Sequence, residues 1–214
     1  MNENDNDNGE RVIVSYLTLR RVVGVLGVLL PVLLALGCLV LGACRGLQDS
    51  ISAYYGTAMR NILVGILFVI GWFLFTYRGY ERKDDIAGDL ACVFALGVAL
   101  FPATSGSTVI RKVHFLSAAG LFLVLAYFSL HLFTKTKEGV PMTPEKKIRN
   151  CIYKACGVIM LACIVCIALY SAFLRETPVS AIKPVFWLES LALWAFGWSW
   201  FVKGKTLWKD ANDG

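Results

Sequence analysis

Six long apolar stretches, separated by short polar segments, fill most of this chain of 214 residues. An α-helix needs about 20 apolar residues to cross a hydrocarbon core of about 30 Å. The predicted spans are Val22–Cys44, Asn61–Tyr77, Ile86–Ala103, Val113–Phe133, Cys151–Leu174 and Pro184–Val202. The pattern therefore predicts an all-α integral membrane bundle of six transmembrane helices over residues 22–203, with tails at 1–21 and 204–214.

The Lys and Arg residues are distributed unequally between the two ends of these spans. Most lie in the N-terminal tail, the second and fourth connecting loops and the C-terminal tail. Because positively charged segments stay on the cytoplasmic side, both termini are predicted to be cytoplasmic. The first, third and fifth loops then lie outside, and the expected location is a bacterial inner membrane.

The chain before and within the first span carries two further signals. Met1–Glu10 is almost entirely Asn, Asp, Glu and Gly, a composition that predicts disorder. Arg20 and Arg21 precede an apolar run ending Leu41-Gly42-Ala43-Cys44, which looks like a degenerate bacterial lipobox with Cys44 as the lipidated residue. The run exceeds the 7–15 residues of a typical signal core, so an uncleaved first helix is the expectation.

Composition changes this picture little. The chain is 57% hydrophobic and 17% charged, whereas soluble domains have about a quarter of their residues charged. The net charge of +6 comes from Lys and Arg at span ends, which argues against a nucleic-acid partner. The seven Cys lie in or beside predicted spans and are interpreted as small buried hydrophobes, without a disulfide framework.

The first outer loop, from Gln48 to Asn61, is the richest polar segment. Its candidate ligand-binding residues are Ser50, Ser52, Tyr54, Tyr55, Arg60 and Asn61. A helix N-terminus and the planar fork of Arg60 together suit an anionic head group such as a lipid phosphate. The alternative is structural: the tyrosines anchor the interface, the serines cap a helix and Arg60 extends to water.

Ionisable residues within membrane helices are functional candidates by default. Asp85 and Asp89 are four residues apart on one helix face, and His131 lies near the same membrane surface. They form a candidate proton-responsive group, because His titrates near neutrality. The alternative is that all three reach interfacial water.

The two histidines restrict the possible chemistry. His114 and His131 are 17 residues apart on one helix, or about 25 Å, so they cannot share a metal ion. We therefore expect no metal site and no cofactor. The remaining catalytic candidates are His114, Asp49 and Glu189, which would act together only if they converge at the outer face.

Two resemblances follow from short motifs. Ser50-Ile51-Ser52-Ala53-Tyr54-Tyr55, followed by Met59-Arg60-Asn61, resembles a six-helix family of uncharacterised bacterial multi-pass membrane proteins, and the likeness covers roughly residues 48–133. His114-Phe115-Leu116-Ser117 is remotely similar to the CREST group of membrane hydrolases. Those hydrolases hold zinc with three His, and this chain lacks their His-x-x-x-His pair.

Three functions agree with these observations. The first is a non-catalytic protein that binds or senses a membrane lipid or small amphiphile from the outer side. The alternatives are a small transporter or proton-coupled carrier, and a membrane lipid hydrolase or transferase. The partners expected are membrane lipids, and the sequence leaves open a homo-oligomer or another membrane partner.

Overall fold

The computed structural model describes residues 3–42, 44–77, 81–136 and 141–204. Within these ranges the chain forms six α-helices and no strand, which confirms the all-α prediction. The helices are α1 Glu3–Val40, α2 Arg60–Thr76, α3 Arg82–Leu100, α4 Thr108–Tyr127, α5 Pro144–Leu169 and α6 Pro184–Lys203. Short π-helical turns at Phe128–Leu132 and Tyr170–Leu174 extend α4 and α5.

Four helical stretches in the described chain are long and apolar enough to cross a membrane, where the sequence predicted six. They are Tyr16–Val40, Thr108–Leu132, Pro144–Leu174 and Pro184–Lys203. The helix α2 is apolar but has 17 residues, and α3 has a charged first turn with Arg82, Lys83, Asp84 and Asp85. The helix α2 is therefore too short, and α3 too charged, to be counted with the other four as membrane-spanning by length and composition.

The helices form a closed ring in chain order. Each helix packs against the next along the chain, and α6 returns to pack against α1. The two ends of the ring are named here by position. The proximal end is where α1, α3 and α5 begin and where α2, α4 and α6 end, and the distal end carries the connections after α1, α3 and α5.

The contact between α1 and α6 depends on small residues. A Cβ atom added to Gly197 would lie 2.6 Å from the carbonyl oxygen of Gly24, so the two backbones approach directly. One helical turn away, Trp194 donates its indole N–H to the carbonyl oxygen of Val28 at 3.1 Å. Small residues at a crossing and a polar bond between helices are the usual stabilising contacts inside a bilayer.

The helix α1 begins at Glu3, within the tail that the sequence predicts to be disordered. Once the apolar part of a helix is packed, each further residue adds a backbone hydrogen bond without a new nucleation cost. This effect accounts for the extension.

A disulfide joins Cys38 to Cys44 at the distal end of α1, which corrects the prediction that no disulfide forms. Gly42 adopts a positive φ of 63° that turns the chain back, and the N–H of Cys44 then donates to the carbonyl oxygen of Cys38 at 3.2 Å. The Sγ of Cys44 takes part in this bond. The other five Cys are free. Cys92, Cys156 and Cys163 are buried as predicted, whereas Cys151 and Cys166 are exposed, which corrects the interpretation of all seven as buried.

Candidate functional site

The loop after α1 folds into a compact cap over the distal end of the bundle. Its centre is a 3₁₀ turn, Ser52–Gly56. Ser50 begins the turn, because its Oγ accepts the N–H of Ala53 at 3.0 Å. Thr57 ends it by donating its hydroxyl to the carbonyl oxygen of Tyr54 at 2.8 Å. For Ser50, the structure therefore agrees with the capping alternative.

Ser52 and His114 form the central polar pair of the site. Ser52 Oγ lies 2.9 Å from His114 Nε2, and His114 Nδ1 lies 2.7 Å from the carbonyl oxygen of Phe101. A carbonyl oxygen only accepts hydrogen bonds, so we assign the ring proton to Nδ1. The unprotonated Nε2 then accepts the Ser52 hydroxyl. His114 is buried, while Ser52 is half-buried.

Glu189 ties α6 to the same loop. Its Oε2 accepts the N–H of Ile51 at 2.5 Å, and its carboxylate also accepts the backbone N–H of Ser52. This bond holds the backbone of the loop rather than a catalytic side chain. Glu189 on α6 and His114 on α4 thus hold Ile51 and Ser52 from two different helices.

The catalytic prediction required Asp49 to meet His114 and Glu189, but its described partners are other residues. Its carboxylate forms an ion pair with Lys183, and its carbonyl oxygen accepts the N–H of Phe186 at 3.1 Å. The three candidate catalytic residues therefore all lie at or near the segment 49–52. Their described contacts, however, are with other residues and not with one another. Among the described residues no cluster of three metal-ligating side chains occurs.

Tyr54 is a core residue rather than a surface ligand or an interfacial anchor. It is fully buried and packs against Phe186, with ring centroids 6.3 Å apart. Its Oη accepts the N–H of Gln48 at 3.4 Å. Burial raises the pKa of Tyr54 above its usual value, so the phenol stays protonated. The sequence pattern of polar and aromatic residues in this loop does not predict that Tyr54 is buried.

Arg60, Tyr55 and Asn61 lie on the surface of the cap. Arg60 Nη2 donates to Tyr55 Oη at 3.0 Å, and its guanidinium carbon is 4.6 Å from the centre of the Tyr55 ring. Arg60 and Asn61 are exposed. The pair formed by Arg60 and Tyr55 orients the guanidinium and leaves other N–H groups facing outward. No described contact joins this pair to Ser52 or His114.

The predicted proton-responsive residues lie at the proximal end. Asp85 and Asp89 are half-buried on α3, whereas His131 is exposed and contacts Tyr127 with ring centroids 5.2 Å apart. No contact that the structure describes joins His131 to either carboxylate. The proton-responsive role stays a prediction, and no described contact supports it.

An ion pair that was not predicted from the sequence lies at this end. Asp84 is 1% exposed, and its Oδ1 lies 2.7 Å from Lys135 Nζ. Glu81 lies 3.4 Å from the same ammonium group. The hydrogen bond that Lys135 donates to Asp84, followed by the charges of both carboxylates, raises the pKa of Lys135. The available signal was Glu81-x-x-Asp84 at the start of α3, where the two side chains form a capping box.

No family model, curated protein or solved structure matches this chain. The two resemblances to membrane-protein families therefore stay predictions based on short motifs. The functional interpretation depends on the chemistry of the residues themselves, chiefly the distal cap and the contacts that α4 and α6 make with it.

Proposed function

We propose that the chain is a multi-pass protein of a bacterial inner membrane, with six spans and both termini in the cytoplasm. The closed ring supports six spans, since α2 and α3 complete it between longer helices. The 17 residues of α2 extend about 26 Å, close to the hydrocarbon thickness. Disulfides persist on the oxidising side of a membrane, so the bond between Cys38 and Cys44 supports an extracytoplasmic distal end.

Topology reporters test this orientation. We expect a fluorescent reporter that matures only in the cytoplasm to be active when fused after residue 214. A periplasm-dependent phosphatase should be active when inserted at Gly106, an exposed loop residue at the distal end where an added Cβ atom would meet nothing within 4 Å. Inactivity of both reporters would contradict the orientation. An active reporter after residue 214 with an inactive phosphatase at Gly106 would place both sites in the cytoplasm and contradict three spans between them.

The function that we propose is recognition of the head group of a membrane lipid or small amphiphile at the distal cap. The supporting observation is the hydrogen bond between Ser52 and His114, which joins the polar loop to a membrane helix. Together with Glu189 it holds the loop in one conformation before a ligand arrives, and such preorganisation lowers the cost of binding. Arg60 supplies an exposed donor fork suited to phosphate or carboxylate.

Native mass spectrometry of the detergent-purified chain tests this proposal. We expect a discrete lipid-sized adduct on the parent chain and its loss in Arg60→Gln. The matched control is Arg45→Gln, which removes the same charge from another exposed position at the distal end and should retain the adduct. Equal adducts in both variants, or a bare parent chain, would contradict head-group recognition at Arg60.

A second candidate function is acyl transfer or hydrolysis of a lipid ester, which the tautomer of His114 specifically favours. A nucleophile, a base and a group that orients the base are the minimum for this chemistry. Ser52 Oγ would attack the ester carbonyl carbon while His114 Nε2 takes its proton. His114 would then protonate the leaving alkoxide, and water or an acceptor alcohol would release the acyl group from Ser52.

A serine-directed fluorophosphonate probe separates the two functions. If the chain is catalytic, the parent protein is labelled, Ser52→Ala is not, and His114→Gln reacts more slowly by a factor of about 10²–10⁴. Ser50→Ala is the control, because Ser50 caps the adjacent turn without contact to His114. Absence of labelling in the parent chain, together with a retained lipid adduct, would leave binding as the function.

A further inference from the structure

A groove on the outside of the ring runs between α1 and α2 in the proximal half of the bundle. It has a volume of about 370 Å³ and is lined by Leu19, Phe68, Val69, Trp72, Phe73 and Thr76. Leu19 and Phe73 also line a smaller cleft next to it, together with Tyr16, Arg20, Val23, Tyr77 and Trp200. The apolar groove thus continues into a cleft in which Arg20 is the one charged residue.

The guanidinium of Arg20 is held by aromatic rings. Its Cζ lies 4.2 Å from the ring centre of Tyr16 and 5.6 Å from that of Tyr77. Its Nε is buried and has no hydrogen-bond partner among the residues that the structure describes. Ring faces attract a cation but do not replace the acceptors that guanidinium N–H groups require. The rings therefore orient the guanidinium. The cleft has a volume of about 10 Å³, room for no more than one water molecule, so a larger acceptor would meet Arg20 from the adjoining groove.

Other cations surround Arg20 at the proximal end. Lys203 Nζ lies 5.1 Å from the ring centre of Phe133, and it is close enough to Arg20, Lys146 and Arg149 to be repelled by each. Asp84 attracts Lys203, but it also binds Lys135. The described part of this end thus has an excess of positive charge, which an anionic group would reduce.

We propose that the groove and Arg20 form a binding site for one anionic phospholipid of the leaflet at the proximal end. An acyl chain lies along the groove between α1 and α2, and the phosphate accepts hydrogen bonds from Arg20. A lipid is the occupant rather than a free anion, because the groove is apolar, faces outward and meets the cleft at Leu19 and Phe73. Basic pockets at the cytoplasmic ends of membrane helices commonly bind such head groups.

The test uses the full chain in detergent and native mass spectrometry. The probes are phosphatidylglycerol, phosphatidylcholine with the same acyl chains, and inorganic phosphate. We expect the parent chain to retain phosphatidylglycerol about tenfold better than phosphatidylcholine and not to retain phosphate, since a charge-assisted hydrogen bond changes affinity by about this factor. Equal retention of the two lipids would overturn the proposal. If inorganic phosphate displaced phosphatidylglycerol, the site would bind free anions instead, and the proposal would also be overturned.

Two variants separate the head-group contact from the acyl groove. Arg20→Gln should retain phosphatidylglycerol about tenfold less well. Val69→Trp fills the groove from an exposed position without changing charge, so it should also reduce retention. Arg45→Gln, which removes a charge from an exposed position at the distal end, should leave retention unchanged. Normal retention in either Arg20→Gln or Val69→Trp, with thermal unfolding like that of the parent chain, would overturn the site as described.

Discussion

Ser52 Oγ lies 2.9 Å from His114 Nε2, although the two residues are 62 positions apart in the chain. This bond, with the one that the N–H of Ile51 donates to Glu189, joins the loop after α1 to both α4 and α6. A loop fixed at two points offers its exposed groups in a defined arrangement. The same contacts that stabilise the distal cap are therefore the ones on which the proposed recognition depends.

Loss of the Ser52 hydroxyl should destabilise the protein as well as change the site. In Ser52→Ala the buried Nε2 of His114 loses its donor, and we expect the free energy of unfolding to fall by about 1–3 kcal/mol. Thermal unfolding in detergent measures the change. Ser180→Ala is the control, because Ser180 is exposed and its hydroxyl has no described bond. Equal stability of the two variants would contradict the pairing.

Glu189 should act as a hydrogen-bond acceptor for the loop. In Glu189→Leu the N–H of Ile51 is left without its partner, and we expect a loss of about 1–3 kcal/mol in the free energy of unfolding. Glu189→Gln keeps an acceptor oxygen and should lose less. Denaturation of both variants under the same conditions tests this order. An equal loss in both would show that the charge matters instead.

The ion pair between Asp84 and Lys135 should be sensitive to alkaline pH. The pKa of Lys135 is raised in the folded protein, so its stabilising effect is fully present below the ordinary value of 10.5. That effect is lost as the pH rises through the higher folded value. Lys135→Met leaves the buried Asp84 without this cation and should cost about 3–5 kcal/mol.

Melting temperatures across the alkaline range, for the parent chain and Lys135→Met, measure both effects. The difference between the two proteins should shrink as Lys135 loses its proton. Lys112→Met is the control, because Lys112 is exposed at the distal end. A constant difference at every pH would mean that Lys135 contributes through its alkyl chain rather than its charge.

The crossing of α1 and α6 should tolerate no side chain at Gly197. A Cβ there meets backbone 2.6 Å away, so the helices must separate, at a cost of about 1–3 kcal/mol. Gly65→Ala is the matched control, since a Cβ at Gly65 meets nothing within 4 Å and the change should stabilise α2 by about 0.5–1 kcal/mol. Opposite shifts in melting temperature are the expected result.

The disulfide between Cys38 and Cys44 predicts a simple labelling pattern. Under denaturing, non-reducing conditions an alkylating reagent should modify five of the seven Cys, and all seven after reduction. Cys38→Ser should lower the free energy of unfolding by about 2 kcal/mol, as expected for a short closed loop. Seven modified Cys without reductant would show that the bond does not form in the cell.

Helix positions were largely predictable because apolar length is a local property of the chain. The predicted last span, Pro184–Val202, nearly coincides with α6, whose first residue is the proline. The start of α5 was wrong by seven residues. Thr143 caps the helix by accepting the N–H of Lys146 at 3.1 Å, with Pro144 at its first position, so the helix extends into the basic loop beyond the apolar stretch.

Which polar residues meet was decided by the tertiary structure alone. Hydropathy placed Ser52, His114 and Glu189 near one membrane surface, but it does not contain the rotation of α4 and α6 about their axes. The same missing rotation left His131 exposed rather than facing Asp89. Length and polarity along the chain determine helices and their ends, whereas packing of small residues such as Gly24 and Gly197 sets the faces that the helices turn inward.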